Sequence, residues 1–239
     1  MNEILFPVVI LAGGLATRLH PMTHTLPKSL IEINDEPFIA HQLRLLKKNG
    51  IQRVVLCVGY LGEKIIDFVG NGNSFGLQVA YSLDGPHLLG TAGSIQNAMP
   101  LLPDSFFVLY GDSYLSCPYL EIQKTFLVSQ KKALMAVFHN KEEGDQSNVE
   151  FHAGSILAHD KKQQTARMHH IDYGLGVFNK SVFASLPQNT PGDLTNLYQE
   201  LIQQQQLAAF EVKERFYEVG SFAGINEFKH YLLNQNAGF

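Results

Sequence analysis

The chain has 239 residues, a formal net charge of −4, 45% hydrophobic residues and two cysteines. At ~100–200 residues per domain this is one large or two small domains, and without a Ser/Gly/Pro-rich linker, charge block or repeat it reads as one. Cys57 and Cys117 are too few for a disulfide scaffold or zinc site, no basic block suits nucleic acid, and no apolar run approaches a membrane span. The stretch before Pro7 has no basic region or long apolar core, so the expected compartment is the cytoplasm.

Taken in chain order, the apolar run Val8–Leu11 is a strand that stops at Gly13-Gly14. Two tandem glycines allow a sharp turn and let backbone N–H groups approach an anion, with Arg18 and Lys28 following to supply charge. The alternative is an ordinary turn with two solvated cations. Neither the G-x-x-x-x-G-K-[ST] loop nor the G-x-G-x-x-G fingerprint is present, which disfavours a Rossmann-type oxidoreductase. Pro37 opens a helix closed by Asn49-Gly50, and Val54–Val58 is a strand. Leu61–Val69 is a helix closed by Gly70, and Leu77–Leu83 a further strand. The βαβαβ rhythm predicts a three-layer, Rossmann-like α/β fold, with a mostly parallel sheet and helices on both faces. Ligands of such sheets bind beyond the carboxyl ends of the strands.

The glycine-rich segment Asp84–Ser94 reads as a tight connection, with Asp-Gly-Pro as turn chemistry. Phe106–Tyr110 is a central buried strand ending in Gly111-Asp112. A carboxylate there is costly unless paired, so it either faces a divalent cation over phosphates or caps the next turn. Pro118–Ser129 is a helix and Ala133–Phe138 a strand. Asn148–Phe151 and Ser155–His159 then form a hairpin leading to Asp160-Lys161-Lys162, whose lysines by themselves read as solvent-facing. Ile171–Phe178 is a core strand with glycine bulges. Asp193 begins a helix, Ala208–Val212 is a strand, and an amphipathic helix carrying Phe222, Ile225 and Phe228 follows Phe216–Ser221.

The first loop, LAGGLATRLHPMT over residues 11–23 and then Pro27-Lys-Ser-Leu30, resembles the signature of the sugar-1-phosphate nucleotidyltransferases, L-A-G-G-x-G-T-R-L-x-P-x-T followed by P-K-x-L. It departs at Ala16, where the family has glycine and alanine fits only if φ is not positive or the backbone adjusts. Gly90-Thr91-Ala92-Gly93 resembles the second loop, L-G-T-A-G, which faces the base, and Gly111-Asp112 the magnesium motif. Asp160-Lys161 is similar to an E-K-P element lacking its proline, with Lys162 as the alternative lysine. Ile171–Phe178 occupies the place of the sugar-lining A-G-I-Y strand. Phe216–Ser221 resembles W-x-D-x-G-T with Glu218 for aspartate.

The resemblance, from Val8 to about Phe228, implies a GT-A-like fold that condenses an NTP with a sugar-1-phosphate. Residues 1–112 form the nucleotide-binding half, and residues 113–239 the sugar-phosphate half with its small hairpin insertion. It assigns catalysis to Arg18, Lys28 and Lys161, and nucleotide binding to Leu11, Ala12, Gly13, Gly14, Asp84, Gly90, Thr91 and Ala92. Asp84 is either a turn residue or an acceptor for guanine N1–H and N2–H₂. Sugar binding falls to Gly111, Asn148, Asp160, Asp172 and Tyr173, and Mg²⁺ to Asp112 and Glu218. The sequence is most similar to short guanylyltransferases that take D-glycero-D-manno-heptose-1-phosphate or mannose-1-phosphate toward surface polysaccharide. UTP-dependent and CTP-dependent transfer, and a catalytically weak nucleotide-sugar-binding regulator, stay open. The implied partners are the two small substrates, with neither nucleic acid nor membrane; a homodimer is left open.

Overall fold

The computed structural model describes residues 4–141 and 146–236. It runs β1 (Val8–Leu11), a long loop, the short hairpin β2 (Glu32–Ile33) and β3 (Glu36–Pro37), α1 (Phe38–Lys48) and β4 (Arg53–Val58). There follow α2 (Gly62–Val69), β5 (Gln78–Leu83), α3 (Gly90–Ala98), β6 (Ser105–Tyr110), β7 (Ser113–Tyr114) and α4 (Tyr119–Ser129). The remainder is β8 (Ala133–His139), β9 (Val149–His152), β10 (Ser155–His159), β11 (His170–Asn179), α5 (Leu194–Gln203), β12 (Leu207–Val212), β13 (Tyr217–Glu218) and α6 (Phe222–Asn236). Among the described residues no helix is long and apolar enough to cross a membrane.

β1 is the axis of the sheet. Val8, Val9 and Ile10 are all fully buried, each worth about 1.5–3 kcal/mol of transfer from water. The strand lies parallel between β4 and β6, with Val9 opposite both Val55 and Val108. β5 extends this parallel set beyond β4. Because side chains alternate along a strand, Val8 and Ile10 enter one apolar layer and Val9 the other. The first layer is closed by Leu43 and Leu46 of α1, Ile65 of α2 and Phe126 of α4, and the second by Ile95 of α3 and Leu197 of α5. The sheet thus has helices on both faces, in the three layers that the alternating pattern predicts. Asn49 caps the C-terminus of α1, and Gly50 beyond it takes φ +89°, the left-handed stop that glycine adopts without strain.

The second half makes the sheet mixed. β11 inserts antiparallel between β6 and β8, and β12 lies parallel on the far side of β8. The hairpin β9–β10, with a bulge between Ile156 and Ala158, joins β11 only where His170 meets Val149. A third apolar cluster packs Val219 and α6, through Ile225 and Phe228, on Leu19, Ile33 and Phe38. It ties the end of the chain to the loop after β1. The two-residue pair β7–β13 sets Glu218 opposite Ser113.

Candidate functional site

β1, β4 and β6 end side by side, and the chain leaves all three through glycine. Gly111 N–H donates to Leu11 O at 3.0 Å and Ala12 N–H to Cys57 O at 2.8 Å. At Gly59 a Cβ would stand 2.9 Å from Gly13 O, and at Gly13 one would stand 3.1 Å from Asp84 Oδ2. The loops after β1 and β4 can approach this closely only because both positions lack side chains. Between them opens a cavity of about 260 Å³, bordered by Leu11–Gly14, Ala16, Lys28, Asp84, Gly90, Thr91 and Tyr110–Asp112. Ala12 and Ala92 are buried in the flanking apolar layers, and Ala92 is 1% exposed.

Ala16 takes φ +52° and ψ +44°, so the alanine occupies the left-handed conformation for which glycine is the usual residue. Its carbonyl accepts from Leu19 N–H at 3.0 Å and from Thr23 Oγ1 at 2.9 Å, which holds the turn. Arg18 follows on that turn. A Cβ on Gly220 would lie 3.2 Å from Arg18 Nη2 and 3.2 Å from Glu218 Oε1, so the guanidinium and the carboxylate converge over this glycine.

Lys28 Nζ pairs with Asp112 Oδ2 at 2.8 Å, both side chains being partly accessible from the cavity. Ser113 Oγ reaches Asp112 Oδ1 at 3.4 Å, and Val219 N–H donates to Asp112 O at 2.9 Å. The backbone of Asp112, in the turn between β6 and β7, is thereby brought alongside that of Glu218 in β13. Among the described residues no group of three or more His, Cys, Asp or Glu is placed to hold a metal. Two hard carboxylate donors nevertheless suit Mg²⁺, which takes one or two protein carboxylates and completes its shell with phosphate oxygens and water.

Asp84 is not at a solvated turn. Its carboxylate is buried against the cavity, accepting from Ser94 Oγ at 2.7 Å and Leu89 N–H at 3.4 Å. Burial raises its pKa, and these two hydrogen bonds oppose the rise. The following loop is clamped to residues 190–194: Ala92 N–H donates to Gly192 O at 2.9 Å, and Leu194 N–H to Thr91 Oγ1 at 2.8 Å. Gly90, with φ +66°, passes so near Gly192 that a Cβ would fall 2.6 Å from its carbonyl oxygen.

On the other side of Tyr110 lies a second charged cluster. Asp172, whose side chain is 2% exposed, accepts from the Tyr110 hydroxyl at 3.3 Å and from Gly174 N–H at 3.1 Å, and lies 3.5 Å from Lys161 Nζ. Lys161 Nζ also stands 4.9 Å above the Tyr110 ring centre, a cation–π approach. Asn148 Oδ1 accepts from Asp172 N–H at 2.8 Å. The register of β11 breaks between Asp172 and Gly176, where Gly174 takes φ +86°.

Lys161, Asp172 and Asn148 are therefore assembled in one place, while two other expected sugar contacts lie elsewhere. Asp160 is half-buried and its Oδ1 accepts from Lys162 and Gln163 N–H at 2.7 and 2.9 Å, bonds that lower its pKa. Tyr173 points into the core between Phe138 and Phe216. Tyr110 and Ser94 line the cavity, Asp193 adjoins Thr91 and His159 adjoins Asp172, although sequence reasoning gave none of them a site role. Asp193 caps α5 through Thr195 N–H at 2.8 Å and lies 3.5 Å from Thr91 Oγ1. Tyr110 alone had a local signal, its place directly before Gly111-Asp112.

Comparison with known proteins bears on the same region. A UTP–glucose-1-phosphate uridylyltransferase of Synechocystis sp. is 29% identical over 205 residues, 78% of this chain and 52% of that protein. A mannose-1-phosphate guanylyltransferase catalytic subunit beta of Xenopus tropicalis is 28% identical over 218 residues, 89% of this chain and 60% of that protein. The chain thus spans only about half to three-fifths of these relatives' length. In three dimensions it matches HddC from Yersinia pseudotuberculosis, solved with GMP-PN, at a TM-score of 0.80 and 23% identity, covering 95% of this chain and all of that one. The nucleotidyl transferase family model matches residues 7–235, from the strand that feeds the glycine loop to the last helix, and the chain belongs to that family.

Proposed function

We propose that the protein joins a nucleoside triphosphate to a sugar-1-phosphate, releasing pyrophosphate and a nucleotide-sugar. One observation carries this reading: two lysine–carboxylate pairs, Lys28–Asp112 and Lys161–Asp172, flank the single segment Tyr110–Asp112 at the end of β6. Each pair offers a movable cation, so two polyanions can be held on either side of one backbone turn.

In the reaction a phosphate oxygen of the sugar-1-phosphate attacks the α-phosphorus and forms a new P–O bond. The bond from the α-phosphorus to the α–β bridging oxygen breaks, and its electron pair leaves with pyrophosphate. The nucleophile is already an anion, so no general base is required; the protein aligns two negatively charged reactants and offsets their repulsion. Arg18 and the N–H groups of the Gly13-Gly14 loop hold the departing pyrophosphate, and Lys28 meets the α-phosphate. Lys161 grips the sugar phosphate, leaving Asp172 and Asn148 for its hydroxyls. Asp112 and Glu218 would hold Mg²⁺, whose charge when bound offsets that of the phosphates.

The base we assign is guanine. Among the described residues Asp84 is the one carboxylate lining the cavity apart from Asp112, and a buried acceptor suits the N1–H and N2–H₂ of guanine, which uracil and thymine do not offer. The Xenopus relative and the HddC complex agree with this choice; the Synechocystis relative favours UTP. The sugar we assign is heptose-1-phosphate or mannose-1-phosphate, with the product serving surface polysaccharide synthesis in the cytoplasm. A second reading, a regulator that binds nucleotide-sugar without turnover, draws on the strained Ala16 and on glutamate at 218. Pyrophosphate release from GTP, ATP, CTP, UTP and dTTP against a panel of hexose-, heptose- and aminosugar-1-phosphates, with Mg²⁺ and with EDTA, tests both. A metal-dependent signal for GTP with one sugar phosphate is expected. A signal with UTP alone would overturn the guanine assignment, and calorimetric binding without turnover would favour the regulator.

A further inference from the structure

His159 closes β10 with its side chain fully buried and neither ring nitrogen hydrogen-bonded. Buried polar groups are nearly always satisfied, and a neutral imidazole carries one N–H that needs an acceptor. The nearest carboxylate oxygen is Asp172 Oδ2, 3.8 Å from His159 Nε2 and just beyond hydrogen-bond reach. The ring is wedged edge-on against Tyr198 of α5, and Gln199 Nε2 donates to the His159 carbonyl at 3.1 Å. It is aimed at the sugar-side cluster with nothing yet to bind.

Asp172 is satisfied without it, by the Tyr110 hydroxyl, Gly174 N–H and Lys161. Of these three only Lys161 is a cation, and it is 43% exposed. The reading given above places this ammonium on the sugar phosphate, and the present inference rests on that assignment. A phosphate carries up to about two negative charges near neutral pH, so it draws a flexible point charge away from a single carboxylate. Asp172 would then be a buried anion without its cation, which is costly unless another donor replaces it.

We propose that His159 is a positioning residue for sugar recognition: when Lys161 moves to the substrate phosphate, His159 Nε2–H takes over Asp172 Oδ2 and keeps that carboxylate ionised and oriented toward the sugar hydroxyls. No covalent bond changes; one ion contact is exchanged for one hydrogen bond. Burial lowers the imidazole pKa in the free protein. Asp172 of β11, Asp160 in the following turn and Asp193 at the start of α5 push it upward, and Lys161 pushes it down. Tyr198 of α5 packs on the ring as a neutral side chain, and Tyr110 of β6, bonded to Asp172, is neutral as well. Withdrawal of Lys161 therefore also strengthens proton binding at His159.

The test combines NMR of ¹³C-labelled histidine from pH 5 to 8 with steady-state pyrophosphate release, on the full chain and with α-D-mannose 1-phosphate as probe. Lys161→Met by itself should raise the His159 midpoint by about one pH unit, as expected when a nearby cation is removed. Adding the probe to the wild type should move it in the same direction. His159→Phe should raise KM for the sugar phosphate by about 10–100-fold, the scale of one hydrogen bond to a charged group, with KM for GTP unchanged. His159→Gln, whose amide can reach the same carboxylate, should restore most of that loss. An unmoved midpoint in Lys161→Met overturns the proposal even if no sugar phosphate is ever turned over, which separates its failure from that of the proposed activity. Equal loss for both substrates, with glutamine no better than phenylalanine, would make His159 merely structural and overturn it as well. Should the phenylalanine variant not fold, the glutamine variant and the lysine titration decide.

Discussion

Replacing Ala16 by glycine isolates the backbone strain of the phosphate loop. Ala16 sits at φ +52° and ψ +44°, where an L-residue with a Cβ is disfavoured by roughly 1–2 kcal/mol. Glycine escapes that clash and loses ~0.5–1 kcal/mol more conformational freedom on folding than alanine. The two hydrogen bonds to the Ala16 carbonyl, from Leu19 N–H and Thr23 Oγ1, do not involve the methyl group and remain. The balance is a gain of about 0.5–1 kcal/mol, and a chain of this size gains about 2–4 °C in Tm per kcal/mol. Calorimetry and urea unfolding of Ala16→Gly should therefore show a Tm higher by about 1–4 °C with an unchanged urea m-value. Turnover should be retained. A lower Tm would refute the strain argument, and turnover found only in the glycine variant would move the function toward a regulator that had lost its activity.

The other predictions concern the cavity. Lys28→Ala removes a cation from the transferring group and should lower kcat by about 10²–10³ with the fold intact, checked by pyrophosphate release and circular dichroism; near-normal turnover would exclude the assigned role. Burial raises the Asp84 pKa, so its contribution favours the folded state most below the unfolded-state pKa and fades as pH rises through the folded one. Asp84→Asn should accordingly be more stable than the wild type at pH 7, and that advantage should shrink toward pH 4, as read by thermal unfolding. The same variant should lose kcat/KM for GTP more than for UTP; equal loss would remove the carboxylate from base recognition. Gly111→Ala would drive a methyl group against the Leu11 carbonyl and to 3.1 Å from Ala12 Cα. It should destabilise by ~1–3 kcal/mol, the usual cost of overpacking, which urea unfolding would report.

The layered architecture and the first loop are legible in the amino-acid sequence because both are local. Val8–Leu11 and Phe106–Tyr110 carry apolar side chains at every position, which only a strand covered on both faces can bury. The glycines after them mark where the chain must turn tightly. Spacing in the same way puts Lys28 on the loop, Asp112 at a strand end and a hairpin before Lys161. What those pieces face was decided by tertiary structure. No local pattern encodes strand direction, so the antiparallel insertion of β11 between β6 and β8 was not foreseen, and with it the meeting of Asp172 with Lys161 over the Tyr110 ring. Asp160 and Lys161 are neighbours in sequence, yet one caps its own turn while the other reaches the cluster, because a single turn aims adjacent side chains apart. Asp84 has the flanking residues of a surface turn but is buried by a helix that begins six residues later. His159 reads as the last residue of a hairpin, and only the packing of α5 and β11 around it makes it an unmet donor beside a carboxylate. Local sequence determined which elements form; burial between elements distant in the chain decided which charges meet.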